Sequence, residues 1–304
     1  MTIFSTLAPL LAALLIGYWL DVRPLTPKRV AKWLGWLTYL ILGLIGYSIG
    51  ALEDLLSKIL IAGWHAAVLF VAVTLIPLVL LWVSAQVAHN KQTAQGVADN
   101  QHTLKDVLKD AGKTLACVLV GVLAGWLLAD HFSHVDSLVT WLLYLLLFLI
   151  GCQLRQGNFK LRKLFLNQHG VIIALTTMVS TLGAGWLAGQ WLGLSTAHSL
   201  AVVSGFGWYS LSGILITGLG EPVLGTTAFL LDLGREIVAL MAIPLLGRIS
   251  SYLSVGYSGA TAMDFTLPLL GKIHGPDIVP VCIASGFIMS LAVPVFIPLF
   301  MGMS

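Results

Sequence analysis

The chain is 304 residues long, 58% hydrophobic and only 10% charged, with 16 Lys and Arg against 13 Asp and Glu, a formal net charge of +3 and a mean hydropathy of +0.94. A soluble domain carries about 25% charged residues, so this chain has too few to cover a surface facing water. The composition excludes soluble, disordered, fibrous and nucleic-acid-binding proteins, and leaves a polytopic protein whose solvent is the lipid bilayer.

A helix needs about 20 apolar residues to cross the hydrocarbon core, and eight runs supply them: 3–20, 33–52, 59–84, 114–130, 137–154, 170–192, 222–246 and 277–301. All are far too long for transmembrane β-strands, so the predicted fold class is all-α. No short apolar stretch followed by a small-residue cleavage site opens the chain, so the first run is expected to be retained. Cys117, Cys152 and Cys282 lie inside apolar runs and read as small membrane-buried side chains, not as a disulfide framework.

Basic residues orient the spans. Arg23, Lys28, Arg29 and Lys32 follow the first span, Lys91, Lys105, Lys109 and Lys113 the third, and Arg155, Lys160, Arg162 and Lys163 the fifth. Loops rich in Lys and Arg stay in the cytoplasm, whereas the intervening loops carry Glu53, Asp54 and Lys58, then Asp130 and Asp136. The N-terminus is therefore expected outside, and residues 89–112, the one long polar stretch, read as a cytoplasmic linker. Trp33, Tyr39, Trp126 and Trp191 at span ends fit an interfacial aromatic belt, and His65, His169, His198 and His274 also fall near span ends.

Two further segments, about 195–219 and 250–273, are apolar but dense in Gly, Ser and Thr: SGFGWYSLSG (204–213) and GYSGATAMDFTLP (256–268). Each is either a ninth or tenth full crossing or a re-entrant, broken segment that enters and leaves on one side. The re-entrant reading is preferred, because it puts Arg248 and Lys272 in the cytoplasmic set and both chain ends outside.

The chain also resembles itself. YLILGLIG (39–46) recurs as YLLLFLIG (144–151), and LLIGYWLD (14–21) as VLAGWLLAD (122–130). Residues 1–88 thus read as a first three-helix repeat and 113–193 as a second, inverted because three is odd. In the C-terminal transport region, 194–304, SGFGWYSLSGIL (204–215) matches SGATAMDFTLPLL (258–270), and ALMAIPLLG (239–247) matches LAVPVFIPLFMG (291–302). Inverted repeats with interrupted helices mark secondary transporters.

Four Asp, Glu, Lys or Arg residues sit deep in the apolar segments: Asp232, Arg235, Glu236 and Asp264. A charge at the bilayer centre costs at least ~2.5–3.5 kcal/mol, so such residues are paired, neutralised or functional. Asp232 and Glu236 share a helix face. An ion pair of Arg235 with Asp232 is the structural reading of those two, and it leaves Glu236 and Asp264 with no basic residue to answer them. An acid in that position takes up a cation or a proton, the chemistry of a proton-coupled cation carrier. Broken helices aim N-terminal N–H groups at anions and C-terminal carbonyls at cations. Gly205 and Gly207 permit close backbone approach, as does Gly213, and Tyr209, Ser210, Ser212, Thr261 and Thr266 offer hydroxyls. The alternative role of these small residues is tight helix packing. Together they favour a cationic or zwitterionic solute. No cofactor or metal cluster is expected.

Gly256-Tyr257-Ser258-Gly259 matches the G-x-S-G pattern of rhomboid intramembrane serine proteases, but activating Ser258 needs a histidine at matching depth. The only one downstream is His274, expected in a polar loop. Enzyme and channel readings therefore rank below a carrier. Na⁺/H⁺ exchange, or export of another basic amino acid, is the alternative within the carrier class.

GFGWYSLSGIL (205–215), DLGREIVA (232–239) and GATAMDFTLPLL (259–270) closely resemble the signature stretches of LysO-type lysine exporters of bacterial inner membranes, and the resemblance covers essentially the whole chain. It implies proton-driven export of L-lysine and of its analogue thialysine, with the family's intramembrane acidic pair on Glu236 and Asp264. Residue reasoning reaches the same two acids but not lysine.

Overall fold

A computed structural model of the chain describes residues 3–20, 26–51, 55–88, 101–128, 135–156 and 167–304. Among these residues the chain is helical, with no strand. Eight long helices form the frame: α1 (Ile3–Trp19), α2 (Pro27–Gly50), α3 (Leu55–Val87), α4 (Gln101–Leu128), α5 (Val135–Gln156), α6 (Gln168–Trp191), α9 (Pro222–Ile249) and α12 (Val279–Met301). Four short ones complete it: α7 (Thr196–Val203), α8 (Tyr209–Gly218), α10 (Ser251–Ser258) and α11 (Leu267–His274). By length and composition α2, α3, α6 and the run Pro276–Met301 qualify on their own to cross a membrane. Helix α9 matches them at 28 residues but carries Asp232, Arg235 and Glu236. Side chains such as Trp36, Trp64, Leu119, Val179 and Leu245 are largely exposed. That apolar outer face over a buried polar interior is what a lipid solvent requires.

Local signals place the helix starts. Pro27 occupies the first turn of α2 after an extended Thr26, where its missing N–H costs nothing. Asn167 accepts from the Gly170 amide at 2.9 Å to open α6, and Ser195 from His198 at 3.1 Å to open α7. Ser250, on extended backbone after α9, accepts from Tyr252 at 3.1 Å and opens α10.

Both Gly-rich segments are re-entrant hairpins, entering from opposite ends of the bundle. In the first, Val203 and Ser199 of α7 lie against Gly185 and Gly189 of α6, so α7 descends along the last turns of α6. The chain breaks at 204–208, and α8 climbs back along the start of α9, with Gly213 beside Phe229 and Thr217 beside Gly225. It ends at Gly218, against Val139 and Leu143 near the start of α5. The second hairpin mirrors it. Tyr252 at the start of α10 hydrogen-bonds His169 at the start of α6 (2.7 Å). A 3₁₀ turn, Gly259–Met263, breaks the helix, and α11 returns until His274 meets Ser254 at 2.8 Å and packs by Gly247. The tips touch at the centre, where the Ala260 amide donates to the Phe206 carbonyl at 3.0 Å. Ten full crossings are thus not the architecture, and Arg248 and Lys272 end up at the end of the bundle where α2 and α6 begin.

Helix contacts fall into corresponding pairs. α1 lies along α5 and α2 along α4; α9 lies along α3 and α12 along α6; α10 leans on α3 and α7 on α6. Small residues let the first pairs close up: a methyl on Gly151 would strike the Leu14 carbonyl, and one on Gly121 the Gly43 carbonyl. Helix α4 starts at Gln101, so the second part of the polar stretch 89–112 is helical; its first part, and loop residues such as Arg23, Glu53, Asp54, Lys91, Asp130, Lys160, Arg162 and Lys163, lie outside the described residues. The cysteines are free thiols, Cys152 and Cys282 buried.

Candidate functional site

The chemistry gathers where the two hairpin tips meet the middle of α9. Asp232 is 1% exposed; its Oδ1 accepts from the Gly207 amide at 2.8 Å and its Oδ2 from the Ser212 hydroxyl at 2.6 Å. Both donors belong to the break and first turn of α8, the positive end of that helix, where a carboxylate is favoured. Gly207 adopts φ +93, a backbone state that suits glycine. Gly205 leaves room for the carboxylate, because a methyl there would run into Asp232 and Ser212.

Arg235 lies one turn further on, 2% exposed, and serves the other hairpin. Its guanidinium carbon sits 5.9 Å from the centre of the Tyr257 ring, whose hydroxyl is 3.2 Å from Thr74 of α3. Its Nη2 approaches the tip at Gly259, beside the C-terminal end of α10, where a cation is favoured. The expected Arg235–Asp232 ion pair therefore gives way to a different arrangement. Asp232 directs its oxygens to Gly207 and Ser212, and the guanidinium of Arg235, whose Nε and Nη2 hydrogen-bond no described group, lies beside Tyr257 and Gly259 of the second hairpin.

Glu236 and Asp264 face a cavity of about 220 Å³, which Tyr39, Gly207, Trp208, Tyr209, Ser210 and Thr261 also line. Glu236 is 7% exposed. Asp264 opens into the cavity from the stretch between the 3₁₀ turn and α11, one oxygen held by the Phe265 amide. A second cavity of about 240 Å³ adjoins it, and the two share Trp208, Ser210 and Asp264. Of the candidate hydroxyls and glycines, Gly207, Tyr209, Ser210 and Thr261 thus face the cavity with the acids. Gly205, Ser212 and Thr266 are used in the hairpins, Thr266 donating to the Thr261 carbonyl at 3.0 Å.

One residue gains a role and one expectation changes. Tyr39, exposed on α2 and read as a belt residue, also lines the cavity; the apolar face of α2 was readable, but not what stood opposite it. His274 is not in a polar loop; it ends α11, buried, on Ser254. Ser258 gives its hydroxyl proton to the Ser254 carbonyl at 2.7 Å, so the G-x-S-G stretch does not form a nucleophile–base pair with that histidine. Sequence reasoning also missed Trp208 and Phe265, which flank residues it had chosen.

A family model described as "Lysine exporter LysO" matches residues 115–301. The chain is 37% identical over 299 residues to the "Lysine exporter LysO" of Escherichia coli K12, covering 98% of this chain and 99% of that one. It is 35% identical over 188 residues to a "Putative lysine exporter" of Haemophilus influenzae, covering 61% of this chain and 95% of the relative. No solved structure matches. With the family model matched over more than half its length and a relative aligned along nearly all of it, this membrane chain belongs to the lysine exporter LysO family.

Proposed function

We propose that the chain is a secondary transporter that exports L-lysine, and its analogue thialysine, from the cytoplasm in exchange for protons, with Glu236 and Asp264 as the coupling groups. The observation that carries this is that the two acids, supplied by α9 and by the second hairpin, face one small cavity. The names of the relatives supply the solute. An ammonium group entering from the cytoplasm displaces a proton from one of the acids, so solute and proton occupy the site in turn. Mutual exclusion at one site is the minimum that antiport needs. Outside, protonation releases lysine, and the carrier returns with neutral carboxyls, avoiding the cost of moving bare charge through the membrane. Asp232 and Arg235 act one layer back, holding the hairpin tips.

The paired helix contacts support the reading of α1–α3 and α4–α6, and of α7–α9 and α10–α12, as two inverted duplications, because exchanging the partners of each duplication maps one contact onto the other. They leave the site between hairpins of opposite entry, as alternating access requires. Charge asymmetry supports a bacterial inner-membrane protein with both chain ends periplasmic.

The test is lysine-driven proton movement in vesicles. Wild type is expected to move protons with lysine and thialysine but not with Na⁺. Glu236→Gln and Asp264→Asn are each expected to lose the response, by at least about a hundredfold if a charge-bearing contact is removed. Near-normal coupling in both, or a response to Na⁺ alone, overturns the proposal.

A further inference from the structure

We infer that the solute reaches the two acids through the second cavity, between α2 and α5, and meets Asp264 before Glu236. This rests on the transport reading above for the nature of the solute, an amino acid with a second ammonium group. On α2, Ala31, Gly35 and Thr38 border the outer cavity and Tyr39 the inner one. The spacing i, i+4, i+7, i+8 puts all four on one helical face, so α2 is a continuous wall along both spaces. Across from it Gln153 of α5 borders the outer cavity. Asp264 borders both cavities, whereas Glu236 borders the inner one only. That arrangement orders the acids along a route.

The route opens toward the end of the bundle where α1 and α5 finish and α2 begins. Arg155 of α5 marks that end, donating to the Trp19 carbonyl of α1 at 2.5 Å, and Lys28, Arg29 and Lys32 sit in the first turns of α2. Thr38, Gln153 and Ser210 supply neutral hydrogen-bonding groups ahead of the first carboxylate, so a charged solute exchanges its water in steps. The larger groove between α3 and α6, about 770 Å³, is lined by Leu80, Val83, Val87, Leu175 and Val179. It has no acid, only the hydroxyls of Ser84, Thr176 and Ser180, so a second ammonium group would meet no counter-charge there.

Gly35 makes the route testable, because a side chain built there meets no atom within 4 Å. In a variant with Cys117, Cys152 and Cys282 changed to Ala, Gly35→Cys is expected to react with a membrane-impermeant trimethylammonium thiosulfonate from the cytoplasmic face only. Lysine is expected to slow that reaction at least about threefold, as a saturating ligand does. Protection should survive Glu236→Gln and vanish with Asp264→Asn. Gly35→Phe is expected to cut lysine flux at least about tenfold by filling a space of solute size, while Gly63→Phe, which also meets no atom within 4 Å, keeps it. Labelling from the outer face, protection that depends on Glu236 instead of Asp264, or normal flux through Gly35→Phe overturns the route. If the acid variants transport normally, the coupling assignment itself fails; if they are inactive while Gly35→Phe transports, only the route fails.

Discussion

Tyr39 shows how one residue changes meaning when its neighbours are known. On α2 alone it is an aromatic near the end of an apolar run; in the fold its ring stands with Glu236 and Asp264 around one cavity. Aromatic faces attract alkylammonium groups, with about 0.5–2 kcal/mol at stake depending on desolvation. Tyr39→Leu is therefore expected to raise the KM for lysine about tenfold, with Tyr39→Phe within about twofold of wild type, since the ring and not the hydroxyl carries that attraction. Uptake kinetics in inverted vesicles check this, and equal KM values for the Leu and Phe variants would assign the residue to packing. Asp232 and Arg235 teach the reverse lesson. Three residues apart on one helix, they read as a pair, yet Gly207 and Ser212 take the carboxylate and Tyr257 lies under the guanidinium. Sequence spacing ranks neighbours along one helix and is blind to backbone N–H groups brought in by a hairpin tip.

At the level of elements, most of the frame was legible because lipid imposes a simple code. Eight apolar runs became eight long helices, and Gly and Ser density flagged the two places where helix breaks. Direction of return was less legible, since an 8-residue half-helix such as α10 is too short to reveal whether the chain continues or doubles back. Caps at Ser195 and Ser250 and the contact of His274 with Ser254 decide it. Glu236 and Asp264 stood out in the sequence because acidic residues are rare inside apolar segments, whereas the aromatic walls carried no signal among so many apolar residues. Close helix pairs give the sharpest prediction at this scale. Gly121 of α4 faces the Gly43 carbonyl of α2 with no room for a methyl, while Gly63 of α3 faces open space. Gly121→Leu is expected to destabilise the protein by about 1–3 kcal/mol through overpacking, read as a drop in thermal midpoint in detergent. Gly63→Leu is expected to leave that midpoint unchanged, and equal shifts would show that the small-residue contact does not hold these helices.

For the molecule as a whole, the arrangement of ends follows from counting crossings. Eight helices run the length of the bundle and the two hairpins add none, so both chain ends leave from the same face. Among the described residues, Lys28, Arg29 and Lys32 at the start of α2, Lys105, Lys109 and Lys113 in the first half of α4, Arg155 at the end of α5, Arg248 at the end of α9 and Lys272 in the last turn of α11 gather toward the opposite face, while Arg235, in the core, and Lys58, near the start of α3, stand apart. The proposed orientation makes that face cytoplasmic, and on it the opening between α2 and α5 lies on the side from which the proposed exporter would collect its solute. Alkaline phosphatase fused after Ser304 is therefore expected to be active, and a fluorescent protein that matures only in the cytoplasm to stay dark at that position. The same pair placed after Gln156, between α5 and α6, should give the opposite result. Bright fluorescent fusions at both positions would require an even number of crossings between them in place of the three of α6, α9 and α12, and one of the two hairpins would then have to pass through the membrane.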